Sequence, residues 1–179
     1  QWQDNRAAGL DALVRYYPVE WMECMDGLAW QHFLHTQTPS CNHPIALLTQ
    51  SKRLPLVWDE LGVDATTWKA LLPETVCPSA VGSTNGWIFK PAFGRVGEGI
   101  NLPGTVSAEE NQDIQQAALA QPEQWVAQRI FHSKAIDDLH ICVGAFVIDG
   151  EFAGLYARAS RSRRIDEDAA DIPVLVKEI

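Results

Sequence analysis

Lys90 closes the apolar run Trp87-Ile88-Phe89, and Gly94, Gly97 and Gly99 follow close behind it with Arg95 and Glu98 between them. Glycines at this spacing permit left-handed backbone and let amide N–H groups converge on an anion without side chains in the way. A lysine at a strand end and an arginine in the loop would add positive charge at the same place, so the implied chemistry is phosphate binding. The stretch is not a Walker loop, because GxxxxGK[ST] is absent. It is not a dinucleotide fingerprint either, because no helix follows directly within a βαβ unit. On these residues alone, a glycine-rich surface turn beside a solvated lysine is an equal reading.

A nucleotide clamp also needs an apolar slot with a few hydrogen-bonding groups. Residues 125–131, WVAQRIF, could supply Val126, Ile130 and Phe131 as walls and Gln128 as a polar group; the plainer alternative is an ordinary buried strand. Lys52 and Arg158, taken singly, read as an exposed lysine on a helix and a strand-end arginine. Arg158, Arg161, Arg163 and Arg164 form the one basic cluster, directly followed by the acidic DEDAAD. Such alternation of sign describes a solvated loop from which one arginine is recruited to a site. Asp166, Glu167, Asp168 and Asp171 read as part of that loop rather than a metal cage. His32, His35 and His43, with Cys41 nearby, read as solvated or core histidines rather than ligands.

These residues need elements to position them. Leu10, Leu13, Val14 and Tyr17 have helical spacing within residues 5–17, and 45–61 reads as helix with Pro55 kinking it or starting a second one. A short helix is expected over TTWKALL, closed by Pro73, and CPSAVGSTNG is a loop. WIFK is a short buried strand. Ser107 and Glu110 form a capping box for a helix running to about Gln121, ended by Pro122. HICVGAFVIDGEFAGLYARA is a hairpin turning at Asp149-Gly150, a pair suited to positive φ. The order predicts an α+β fold with partly antiparallel sheet.

The chain has 179 residues, 46% hydrophobic, enough for one sizeable core or two small subdomains. Its net charge of −9 argues against a basic nucleic-acid surface. No apolar run approaches a membrane span, and the amino-terminal residues lack the pattern of a signal peptide. The four cysteines are widely spaced, without a CxxC pair, as expected of reduced thiols in a cytoplasmic protein. The chain lacks an initiator methionine and is read as a piece of a longer protein. Its seven tryptophans are expected in the core or at a subdomain interface.

Four stretches, in order, carry a family resemblance: YYPVEWM (16–22), HPIALLTQSKRLPLVWDEL (43–61), WIFKPAFGRVGEGI (87–100) and VGAFVIDGEFAGLYARAS (143–160). They resemble the glutathionylspermidine synthase group of ATP-grasp ligases, specifically the carboxy-terminal part. The likeness lies in that family's tyrosine-proline-tryptophan-glutamate-tryptophan motif, its lysine-bearing helical segment, its KP…GREGANV loop, and its hairpin ending in glycine-arginine.

The resemblance implies an α+β, ATP-grasp-like fold with partly antiparallel sheets and a glycine-rich lid loop, as a fragment of a larger ATP-grasp protein. Residues 1–82 would form a helical segment and part of the core; 83–179 would carry the lid, the nucleotide hinge and the hairpin. It implies a ligase that activates a small-molecule carboxylate with ATP and joins it to an amine. Lys52 and Lys90 would contact phosphate, Gly94, Arg95, Gly97 and Gly99 would form the lid, and Gln128 and Ile130 would line the adenine hinge. Arg158 would stabilise the transferring phosphoryl group. Magnesium is implied as well, its ligands expected outside this chain. The departures are valine at 96, glutamate at 98 and Ala157 before Arg158, which leave the acid and amine unassigned. The competing reading is a non-catalytic nucleotide-binding or protein-interaction module; a kinase-like enzyme has no HRD or DFG motif to support it.

Overall fold

The computed structural model describes residues 2–3, 6–7, 9–14, 18, 20–21, 27, 32, 35–41 and 46–177. The chain divides into two compact units, Gln1–Leu54 and Pro55–Ile179.

In the first unit, β1 (Trp2–Gln3) pairs antiparallel with β2 (Arg6–Ala7), and β3 (Leu13–Val14) pairs in parallel with β4 (Ser40–Cys41). The helix expected over residues 5–17 is therefore corrected: its described part holds two short strands. Val14 is exposed, so the apolar spacing there did not mark a buried helical stripe. A β-branched residue also suits extended backbone better. Tyr17, Cys24, Trp30 and His43 lie outside the described residues. Helix α1 (Ala46–Gln50) ends before Lys52, which sits in a turn rather than on a helix. A 3-10 helix, Leu54–Glu60, begins one residue before Pro55, so the proline opens a second helical piece.

The second unit continues with α2 (Thr66–Leu71), whose residues are none of them buried. Trp68 on this short helix is exposed, as is Trp21, so these two are not core residues, whereas Trp87 is buried in the core. A three-stranded antiparallel sheet follows, with β7 (Trp125–Arg129) between β5 (Thr75–Val76) and β6 (Trp87–Pro91). Period-two alternation gives this sheet two different faces. Trp87 and Phe89 of β6 and Ala127 of β7 point to one side, where they pack with Ile114 and Ala118 of α3 (Ala108–Ala120). Phe89 and Ala118 are fully buried there. Arg129 covers the edge of this core, its guanidinium 4.1 Å from the Trp87 ring centroid and its Nε 3.1 Å from Glu74 Oε2. Ile88, Lys90, Val126, Gln128 and Thr75 occupy the other face by the same register.

Helix α3 starts where its cap predicts: Ser107 Oγ accepts from the Glu110 amide at 3.0 Å, with Glu109 and Glu110 in the positive first turn. Beyond β7, an antiparallel meander runs β8 (Ala135–Ile136), β9 (Leu139–Ile148), β10 (Glu151–Ser160) and β11 (Ala170–Ile172). The β9–β10 turn has Asp149 at φ 52° and Gly150 at φ 84°, both left-handed, as the sequence predicts. The molecule is thus mixed α and β, with its larger sheets antiparallel.

Candidate functional site

The far face of the three-stranded sheet opens onto a cavity of about 290 Å³ within the second unit. Ile88, Ile100, Leu102, Phe131, Ile141 and Ile165 give it apolar walls. Lys90, Ser133, His140, Cys142, Arg163 and Arg164 bring polar groups to it, and Gly97 brings backbone. Three basic side chains therefore meet one small apolar-walled cavity in a chain whose net charge is −9. Low-dielectric walls strengthen the field of those cations, and an anion is the matching ligand.

Lys90 reaches the cavity because β6 alternates: Phe89 goes to the core, so its neighbours Ile88 and Lys90 go the other way. Its ammonium donates to Gln128 Oε1 at 2.6 Å, two residues along β7 from its register partner Val126. Gln128 Nε2 in turn donates to Thr75 Oγ1 at 3.0 Å, and that hydroxyl donates to the Pro73 carbonyl at 3.1 Å. This chain fixes which end of the Gln128 amide faces the lysine. Gln128 thus lies in mid-strand, behind Lys90. Ile130, half-buried, hydrogen-bonds through its N–H to the Gly86 carbonyl at 3.0 Å.

The glycine loop is folded into close turns. Glu98 N–H bonds to the Arg95 carbonyl at 2.9 Å, with Val96 (φ 43°) and Gly97 (φ 73°) both left-handed between them. A β-branched residue with that φ is a local strain. A Cβ on Gly97 would lie 2.7 Å from Arg164 Cγ and 3.3 Å from the Ile165 carbonyl oxygen. One on Gly99, also left-handed, would lie 3.0 Å from Pro91 Cγ. Both glycines are therefore required by close approach as well as by φ. Arg95 is exposed on the turn, and Gly94 is half-buried ahead of it. Asn101 anchors the far end of the loop: it is 2% exposed, its Oδ1 accepts from the Phe89 amide at 2.5 Å, and its Nδ2 donates to Asn111 Oδ1 at 2.9 Å.

Arg158 is the arginine that the resemblance sets on the transferring phosphoryl group. It does not line the cavity; its Nη2 donates to the carbonyls of Asp166 at 2.6 Å, Ala169 at 3.2 Å and Glu167 at 3.4 Å. Its Nε stands 3.5 Å from Asp171 Oδ1, which also accepts from Tyr156 Oη at 3.0 Å. Partial removal from water, then that bond and the charge of Asp171, raise the Tyr156 hydroxyl above the ordinary tyrosine range. Arg158 thus holds the 166–169 turn, and the arginines just before that turn face the cavity. Arg163 Nη2 bonds to His132 Nδ1 at 2.8 Å, and Arg164 Nε approaches Asp166 Oδ2 only to 3.8 Å. Two arginines of the cluster line the cavity, where the sequence suggested one recruited to a site. Adjacency to Gly97 across the chain was the missing signal, and it is not visible in sequence.

Among the described residues no three His, Cys, Asp or Glu side chains converge as a metal site. Glu109, Glu110 and Asn111 lie in the first turns of α3, and Asn111 Oδ1 accepts from Asn101 Nδ2 at 2.9 Å and from Gln115 Nε2 at 3.2 Å. Cys41, Cys77 and Cys142 are not in disulfides. Among the described residues no helix is long and apolar enough to cross a membrane. Lys52 belongs to the first unit and Lys90 to the second. A family model described as glutathionylspermidine synthase preATP-grasp matches residues 1–177. No curated protein matches the chain.

Proposed function

The chain belongs to the glutathionylspermidine synthase preATP-grasp family, and from that premise we propose that it carries the nucleotide-gripping part of an ATP-dependent carboxylate–amine ligase with an ATP-grasp fold. The matched description names a preATP-grasp region and lends no support to a carboxy-terminal placement. The observation that carries the proposal is Lys90, aimed into an apolar-walled cavity beneath a glycine loop and held there by Gln128.

In such a ligase ATP supplies a phosphoryl group to a carboxylate, and an amine then displaces phosphate from the acyl phosphate to form an amide. The work of the protein is to position the groups and to stabilise charge. Lys90 would neutralise phosphate oxygens from the sheet side. Gly97 and Gly99 would let the loop backbone, with Gly94 and Arg95, close over the same anion. The apolar walls would take a flat heterocycle, with Gln128 and Ile130 behind them on β7 and just beyond it. The cation set and cavity walls fit a nucleotide. They do not fit magnesium, whose ligands we place outside this chain, and no step is derived through it. The acid and the amine are small molecules met by parts other than this cavity.

A second reading, a nucleotide-binding module without catalysis, is favoured by one feature. Arg158, the residue proposed to steady the transferring phosphoryl group, is engaged by backbone carbonyls away from the cavity. Calorimetric titration with ATP, with and without magnesium, tests both. The proposal expects saturable binding that Lys90→Ala weakens roughly tenfold or more, as for loss of a charge-assisted bond. Wild-type protein that ignores ATP in either condition would overturn it. Binding without any acyl-phosphate or amide formation from supplied acids and amines would favour the second reading.

A further inference from the structure

We propose that Arg163 and Arg164 form the opposite half of the polyphosphate site, so that a triphosphate chain is gripped between them and Lys90 under the glycine loop. The inference deepens the nucleotide reading and rests on it.

Four observations converge. First, both arginines line the same cavity as Lys90, while Arg161 does not. Second, Arg164 Nε is buried with no hydrogen-bond partner; its ion pair with Asp166, at 3.8 Å, is too long to supply one. A buried guanidinium N–H without an acceptor is unfavourable, and an anion in the adjoining cavity supplies one. Third, the loop rests on this residue: the Gly97 backbone is so close to the Arg164 side chain that no Cβ fits between them. Loop and arginine are therefore a single contact. Fourth, the segment is fixed from behind, because Arg158 binds the carbonyls of Asp166, Glu167 and Ala169. That turn sets the position of Arg163 and Arg164 just upstream of it.

The charge count selects the ligand class. Asp166, 3.8 Å from Arg164, offsets part of the positive charge, and a triphosphate still carries enough negative charge to engage Lys90, Arg163 and Arg164 together. Guanidinium groups offer paired N–H donors to phosphate oxygens, and lysine adds a point charge from the other wall. Arg158 is then a positioning residue that acts through Arg163 and Arg164.

The test is titration of the full 179-residue chain with ATP and with inorganic triphosphate, at low and moderate salt, for the wild type and the Arg163→Gln, Arg164→Gln, Arg164→Lys and Arg161→Gln variants. The expected result is roughly tenfold weaker binding of both probes in Arg163→Gln and Arg164→Gln, with a shallower dependence on salt. Arg164→Lys should retain part of the affinity, which also guards against a folding defect in the glutamine variant. Arg161→Gln should match the wild type. Wild-type affinity in Arg163→Gln and Arg164→Gln, with binding lost in Lys90→Ala, overturns the inference and leaves the nucleotide reading standing. Arginine-dependent binding of triphosphate without binding of ATP upholds the anion site and removes the nucleotide. If neither probe binds the wild type, both fall.

Discussion

Lys90 and Gln128 are joined by a 2.6 Å hydrogen bond on the face of the sheet opposite the core, and Thr75 sets which end of the amide makes it. Thr75→Val removes the acceptor of Gln128 Nε2 and leaves the amide free to turn. The expected loss of ATP affinity is severalfold, in line with about 1 kcal/mol for one neutral hydrogen bond. Gln128→Glu should weaken binding further, because it places a carboxylate beside Lys90. Titration of the two variants checks this, and unchanged affinity in both would make the bond a bystander.

Gly97 and Gly104 separate backbone strain from steric contact. Both have left-handed φ, 73° and 83°, but a Cβ on Gly104 meets nothing within 4 Å. Gly104→Ala should therefore lose only about 1–2 kcal/mol of stability for the conformation. Gly97→Ala should lose the same and also push Arg164 away, reducing ATP affinity. Urea unfolding and titration, run side by side, read the two effects; identical behaviour of both variants would show that the Gly97–Arg164 contact carries nothing.

Asn101→Ala removes the acceptor of a buried amide. The Phe89 N–H loses its acceptor and Asn111 Oδ1 loses one of its two donors, and destabilisation of about 1–3 kcal/mol is expected. Asn101→Asp keeps the acceptor for Phe89 and should recover part of it. Hydrogen exchange at Phe89 is the direct measurement, and unaltered protection in Asn101→Ala would contradict the anchoring role.

Tyr156 should remain protonated above the ordinary tyrosine range, through partial desolvation and then its bond to Asp171. A raised native value means that its contribution to stability is complete below the unfolded value and disappears as pH rises through the folded one. Ultraviolet titration should show a late-ionising tyrosine that returns toward the ordinary value in Asp171→Asn. A Tyr156 titrating no later than the other tyrosines would refute this.

Local rules carried much of the fold. The Ser107 cap, the break at Pro55 and the left-handed pair Asp149-Gly150 each depend on residues within a few positions, and all are found as read. The stretch before residue 45 was less legible, because an apolar spacing that suits a helix is also met by short exposed strands such as Leu13–Val14. At the site, Lys90 was legible from its strand-end position and Gly97 from its type. Gln128 was singled out for a different contact. Arg163, Arg164 and Asn101 depend on contacts between segments far apart in sequence, and no local pattern announces them.

The alternation along β6 ties two properties together. Slipping the strand by one residue would turn Phe89 toward the cavity and Lys90 into the apolar core beside Ile114 and Ala118. An insertion or deletion between Trp87 and Lys90 would then disable packing and anion binding in one event. The turn around Gly104, with open space about it, has room for extra residues. Length variation in this chain should thus be tolerated beyond the glycine loop and refused within the strand that leads into it.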